Sequence, residues 1–281
     1  MLKAKVYSVV IYVLVTVAFL LVFIYTVEQH KERPSTGVDC AGRFSISDEE
    51  GEYADEAMRN FFKSVNVNNR LDSVVIKMEG DAISMDGHLS YRSLKDFARL
   101  LKNNSEVNTF KISSQGGVTV IGLCFAELIK MRNMDVDIVG EVFSSAANYI
   151  FVAGNKKFLH KHSVVGFHGG EASEKFNDLE GEGLTADDSL DSSVLGHKNA
   201  IKLESDFYQR NGVDINLVKL GQHEKFSSHA KDRDIVGWTY TLDAMKALGV
   251  KNIVPVAGEW APNVTFKHGG KLFIITEKEV L

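Results

Sequence analysis

The sequence predicts an α/β domain with a largely parallel sheet, and three observations lead there. Between residues 73 and 170, short runs rich in β-branched residues alternate with apolar-striped segments of helical length. Strand-like stretches pass into helix-like ones through small-residue corners, Ser113-Ser114-Gln115-Gly116-Gly117 and Ser144-Ser145. The 281 residues, 44% hydrophobic and 25% charged, suffice for one ordinary domain with a full core or two small ones.

Taken in order, the chain opens with an uncharged apolar run, Val6 to Val27, long enough to cross a bilayer as a helix. Lys3, Lys5 and the amino terminus lie before it, whereas Glu28 and Glu32 offset Lys31 and Arg33 after it. That asymmetry puts the N-terminus in the cytoplasm. Phe23-Ile24-Tyr25-Thr26-Val27 offers no small-x-small cleavage site, so residues 1–30 read as a signal anchor. The protein is then a single-pass membrane protein with its domain outside the cytoplasm, periplasmic in a Gram-negative cell. Residues 31–52, with Pro34, Ser35, Thr36 and Gly37, read as a tether, and 53–281 as the domain.

Tyr53 to Val65 repeats Ala57, Met58, Phe61, Phe62 and Val65 at helical spacing. Ser73 to Met78 is a strand, followed by a polar connection over Glu79–His88. Leu89 to Lys102 is a helix with Ser90 as N-cap. Val107 to Ser113 is a strand, Val118 to Met131 a helix, and Asp135 to Val142 a strand. Ala146 to Val152 forms a short apolar helix stopped by Gly154, and a second strand runs to His168. Glu171 to Ser189 holds seven acids against Lys175 and reads as a solvated loop or, given its place after His168, a lid. Helices follow at Leu190–Gln209, Asp214–Gly221 and Thr241–Gly249, and Lys271–Thr276 is a terminal strand.

The net charge of −5 argues against a nucleic-acid partner, which would call for a basic patch. Cys40 and Cys124 are the only cysteines. Outside the cytoplasm they can pair, and Cys124 can equally be a buried thiol on its helix. No metal-ligand spacing and no phosphate-binding GxxxxGK[ST] loop occurs, so neither a metal nor a nucleotide cofactor is expected.

Both small-residue corners fall at carboxyl ends of strands, the edge of an open α/β sheet where ligands bind. A serine where a strand meets a helix presents its hydroxyl among free N–H groups at the positive end of the helix dipole, although most such serines are only N-caps. His168, ending a neighbouring strand, can serve as its base. The two glycines allow close backbone approach and form a small anion-binding nest.

In this order, SSQGG, SSAANYIFVAG and VVGFHGG, the motifs resemble the ClpP/crotonase superfamily over roughly Ser73 to Val250, and most closely its membrane-anchored or periplasmic Clp-type serine peptidases. The resemblance implies a spiral of strand–helix units. Counting back from Ala153-Gly154, it places the nucleophile on Ser145, beside Ser144, and the general base on His168. The oxyanion donors it implies are the backbone N–H groups of Gly116 and Ala146. The third triad member falls near Gly237, where no acid stands. Asp234 is the candidate instead, with Asp232 second and a Ser–His dyad as the remaining option. The implied function is peptide-bond cleavage through an acyl-enzyme, without cofactor, on peptide or protein substrates. A homo-oligomer is implied too. Two alternatives accompany it: a catalytically silent oligomeric scaffold or binding protein, motivated by the missing acid, and crotonase-type acyl-CoA chemistry.

Overall fold

A computed structural model describes residues 37–64, 73–173, 197–261, 264–266 and 269–280. The Val6–Val27 run and residues 174–189 of the acidic stretch lie outside the described residues. Among the described residues no helix is long and apolar enough to cross a membrane.

Residues 37–52, expected to be tether, belong to the folded unit. Strands β1 (Gly37–Asp39) and β2 (Ser45–Ser47) form an antiparallel hairpin. Helix α1 (Asp48–Ser64) starts directly after it. Its start is a reciprocal cap: Ser47 N–H donates to the Glu50 carboxylate at 2.9 Å, and Glu50 N–H donates to Ser47 Oγ at 3.2 Å. The acids at 48–50, linker-like in sequence, are the first turn of a helix, where negative charge suits the dipole. Cys40 is disulfide-bonded to Cys124 with a Cα–Cα distance of 4.8 Å, pinning the hairpin to the helix behind the Gly-Gly corner. Of the two options for these cysteines, the bond is the one formed.

The polar connection expected over Glu79–His88 is a strand. β3 (Val75–Glu79) turns at Gly80, whose φ of +64° suits glycine, into antiparallel β4 (Ala82–Asp86). Ile83 and Met85 are buried, but so short an alternation is hidden in sequence by its polar flanks. Helix α2 (Tyr91–Asn103) carries the expected Ser90 cap, with Ser93 completing a capping box. Strand β5 (Thr109–Ser114), helix α3 (Thr119–Met131) and strand β6 (Asp135–Phe143) follow as expected. Helix α3 is buried from Thr119 through Ile129, which places it in the interior of the fold.

The central sheet runs β10 (Ile253–Pro255), β7 (Lys157–Leu159), β6, β5, β4, β3 and is parallel except for β3 against β4. The expected strand leading to His168 is two short ones, β7 (Lys157–Leu159) and β8 (Val164–Gly166). Both pair with β6: β7 along Val136–Ile138, and β8 along Glu141–Phe143. This hand-over sets the site, because it brings the end of β8 beside the end of β6. A register irregularity between β5 and β6 lies close by, and Gly140 leaves room for Ser113 Oγ.

Beyond the acidic stretch come helix α4 (His197–Asn211), 3₁₀ turns at Ile215–Val218 and Leu220–Gln222, strand β9 (Ile235–Tyr240) and helix α5 (Leu242–Ala247). Thr241 caps α5, its Oγ1 accepting from Ala244 N–H at 3.3 Å. Strand β10 (Ile253–Pro255), strand β11 (Lys271–Ile275) and a final turn, α6 (Glu277–Val280), end the described chain. β9 pairs in parallel with β11 and meets Phe167 through an antiparallel bridge at Trp238. The result is a mixed α/β fold with a largely parallel central sheet.

Candidate active site

The first corner follows β5. Gly116 has φ of +87°, its carbonyl accepts from Leu89 N–H at 2.8 Å, and its N–H donates to Ser114 Oγ at 3.1 Å. The implied oxyanion donor is therefore engaged with a hydroxyl in this structure. Glycine is required here by space as well as by φ. A Cβ on Gly116 would lie 2.7 Å from both Phe143 O and Ser144 Cβ, and 3.0 Å from Ser145 N. The first corner is packed directly against the second.

The second corner follows β6. Ser144 adopts the left-handed conformation, φ +55°, a conformation that costs a non-glycine residue free energy. It is fixed from two sides: its N–H donates to Gly166 O at 3.2 Å, and its carbonyl accepts from Asn148 N–H at 2.8 Å. Its hydroxyl makes no hydrogen bond among the described residues. Ser145 is helical in φ and ψ and buried, and its Oγ donates to Gly117 O at 2.6 Å. Ser145 also faces α3: a Cβ on Gly122 would fall 2.8 Å from Ser145 Cβ. The helix that follows is a π-helix over Ala146–Phe151, buried throughout. π-Helical turns are rare and concentrate at functional sites. Ala146 N lies in its first turn, where intrahelical partners are lacking.

His168 follows β8 and is half-buried, its ring 4.9 Å from that of Phe143 at 57°. The structure thus brings His168 to the residue next to the serine corner. It does not hydrogen-bond His168 to Ser145, whose hydroxyl proton is directed to Gly117 O.

Asp234 stands elsewhere. Its side chain is 69% exposed and pairs with Lys271 Nζ at 3.3 Å, while its N–H donates to Asp232 Oδ1. Neither acid is joined to His168. Gly237, the position where the motif order expected an acid, has no room for any side chain: a Cβ there would sit 2.2 Å from Phe167 O. The bridge between Phe167 and Trp238, with N–H···O contacts of 2.8 Å both ways, closes that space.

Other residues hold the His168 turn, and their sequence context does not single them out. Gln222 Nε2 donates to His168 O at 3.0 Å, and Asn148 Nδ2 donates to Gly169 O at 2.7 Å. Glu204, fully buried on α4, accepts from Tyr149 Oη on one carboxylate oxygen and from Ala172 N–H on the other, each at 2.7 Å. Burial pushes its carboxyl up to about 7, and the nearby Glu171 charge pushes the same way, against the lowering effect of those two hydrogen bonds. The π-helix is tied to the turn after His168 both directly, through Asn148, and through Glu204. A glutamate buried on a helix of mixed polarity gives no periodic signal, so only tertiary contacts reveal it. Gln115 links the two corners from outside, its Nε2 donating to Glu141 at 2.9 Å.

Among the described residues no group of three or more His, Cys, Asp or Glu is placed to hold a metal ion.

No family model matches the chain, and no curated protein matches it. Solved structures give weak likenesses. A point mutant of ClpP1 from Listeria monocytogenes is similar at 19% identity and TM-score 0.32, over 54% of this chain and 80% of that one. A Bordetella parapertussis protein described as an enoyl-CoA hydratase/isomerase matches at 11% identity and TM-score 0.26, over 50% and 70%. Enoyl-CoA hydratase from Thermoplasma volcanium GSS1 matches at 13% and 0.26, over 48% and 64%.

Proposed function

We propose that the chain is a serine hydrolase that cleaves peptide bonds through an acyl-enzyme, with Ser145 as nucleophile and His168 as general base. The observation that carries it is the interlock of the corners. Gly116 lies against Phe143, Ser144 and Ser145, and the β8 end leading to His168 is hydrogen-bonded to Ser144. In that arrangement hydroxyls, an imidazole and backbone N–H groups share one sheet edge, the constellation acyl transfer uses.

The reaction needs two local changes. Ser145 must rotate about χ1 away from Gly117 O, so that its proton passes to His168 as the oxygen attacks the carbonyl. Gly116 N–H must leave Ser114 Oγ for the oxyanion, beside Ala146 N–H. His168 then returns its proton to the leaving amine, and water releases the acyl group by the reverse path. With Asp234 on the surface and Gly237 closed, neither position supplies a third member, and Gln222 and Asn148 hold the turn that carries the imidazole. Membrane attachment through Val6–Val27, an extracytoplasmic domain and a homo-oligomer belong to the same proposal. The Cys40–Cys124 bond supports the compartment, because disulfides persist where the surroundings are oxidising.

One observation favours a second assignment within the corner. Ser144 has the strained backbone and the unbonded hydroxyl, the features of a serine presented at a strand-to-helix elbow. Fluorophosphonate labelling of the full chain, with the modified peptide mapped in Ser144→Ala and Ser145→Ala, separates the two serines. Labelling of folded protein at neither serine contradicts the hydrolase.

A further inference from the structure

At the opposite edge of the sheet, three lysines and several asparagines surround a cavity of about 150 Å³. Lys157, the first residue of β7, pairs in register with Val136 near the start of β6 and with Ile253 at the start of β10. It therefore sits at the amino-terminal edge of the sheet, whereas the serine corner lies at the carboxyl edge. Lys130 reaches the cavity from the last turn of α3 and Lys251 from the residues before β10. Asn133 and Asn252, both in left-handed turns, stand beside them.

The charge of this cavity is unbalanced. None of its lining residues carries a carboxylate, in a protein whose net charge is −5. None of the three lysines makes an ion pair among the described residues. Lys157 is 5% exposed, and its ammonium donates to the Gly154 carbonyl at 2.6 Å, just past the π-helix. That bond and the negative ends of nearby helices account for one buried ammonium. Lys130 and Lys251, both exposed, add two further cations at the rim. Asp135 lies near, but its Oδ1 already accepts from Asn155 Nδ2 at 2.9 Å and Lys156 N–H at 3.0 Å. Burial lowers the Lys157 ammonium to about 8, with Lys130 adding to the effect and Asp135 opposing it.

We propose that this cavity is a binding site for a phosphoryl group or a similar oxyanion, with Lys157 at its floor and Lys130 and Lys251 at its rim. A dianion entering it gains three charge-assisted donors in a partly enclosed volume, and it removes the repulsion between Lys130 and Lys157. The volume is several times what one water needs, so a small oxyanion fits without displacing protein. The site is independent of the serine corner and of whether that corner is active.

The test is a titration of the full chain with inorganic phosphate against chloride at matched ionic strength, by calorimetry and by the thermal midpoint. Saturable phosphate binding is expected, weakened about tenfold or more by the double variant Lys130→Ala/Lys251→Ala and abolished by Lys157→Met. Should Lys157→Met fail to fold, the double variant, at two exposed positions, carries the test. A water-soluble short-chain phosphatidic acid distinguishes the source of the group, because the apolar Val6–Val27 run of the full chain is itself proposed to enter vesicles. Short-chain phosphatidic acid that competes with phosphate, binds more tightly than it and is lost in the double variant assigns a lipid headgroup, and phosphate binding without that gain assigns a soluble phosphoryl compound. Equal responses to phosphate and chloride, or equal phosphate binding by the double variant, overturn the proposal.

Discussion

Ser145 Oγ donates to the Gly117 carbonyl oxygen across 2.6 Å, so the hydroxyl of one strand–helix corner is held by the backbone of the other. Replacing Ser145 with alanine removes that bond and leaves a backbone carbonyl without its donor. A loss of about 1–2 kcal/mol is expected, read from urea unfolding midpoints. Ser144→Ala removes no hydrogen bond among the described residues, so its midpoint is expected to move less. A larger loss in Ser144→Ala would show that the two hydroxyls have been assigned the wrong way round.

Gly116 is the contact point between the corners. Alanine there meets Phe143 O and Ser144 Cβ at 2.7 Å and must also adopt φ of +87°. Destabilisation of about 2–4 kcal/mol is expected from the overlap and the backbone together. Serine labelling is expected to fall further than the loss of fold explains, measured at a temperature where the variant remains folded. Unchanged labelling in folded Gly116→Ala would separate the first corner from the chemistry.

The Cys40–Cys124 bond joins residues 84 apart in sequence. On the chain-entropy account a loop of that length contributes about 4–5 kcal/mol. Reduction, or Cys40→Ala with Cys124→Ala, is expected to lower the unfolding free energy by that order in denaturant melts. The β1–β2 hairpin and α3 are expected to gain amide exchange first. A midpoint insensitive to reductant would contradict the pairing.

Glu204 sets a pH dependence whose sign follows from burial. Its carboxyl rises from the ordinary 4.5 to about 7 in the folded state. The stability it contributes is full below about pH 4.5 and is lost as pH rises through about 7, a change of roughly 3 kcal/mol at about 1.4 kcal/mol per pH unit. Glu204→Gln keeps an acceptor for Ala172 N–H and a donor for the Tyr149 oxygen, so it mimics the protonated acid. It is expected to be more stable than the native chain at pH 8–9, with the difference vanishing near pH 4.5. Parallel stability curves for the two across that range would contradict the origin given to the shift.

Much of the fold is legible because long segments carry a clear period or a cap. Ser90 and Thr241 cap the helices they were expected to cap, and α3 and β6 fall where their apolar patterns put them. Short elements are not legible. β4 has only Ile83 and Met85 to mark its inward face beyond Ala82, and β10 spans only three residues. The site divides along the same line. The Gly-Gly and Ser-Ser corners announce themselves in sequence because special backbone geometry demands small residues. What holds the His168 turn does not, since Asn148, Glu204 and Gln222 act through contacts across tens of residues. Asp234 is only the acid nearest in sequence to a position that Phe167 O in fact closes. Its surface ion pair with Lys271 explains the residue without catalysis.

The most direct measurement is the rate at which a fluorophosphonate probe labels the full chain, with the modified residue identified by peptide mapping. Covalent capture of the 144–145 corner is expected, on Ser145 by the assignment made above. His168→Ala is expected to slow capture by about 10²–10⁴ while the fold persists. A folded chain that resists the probe, or one labelled equally well in His168→Ala, would contradict a serine nucleophile served by that imidazole.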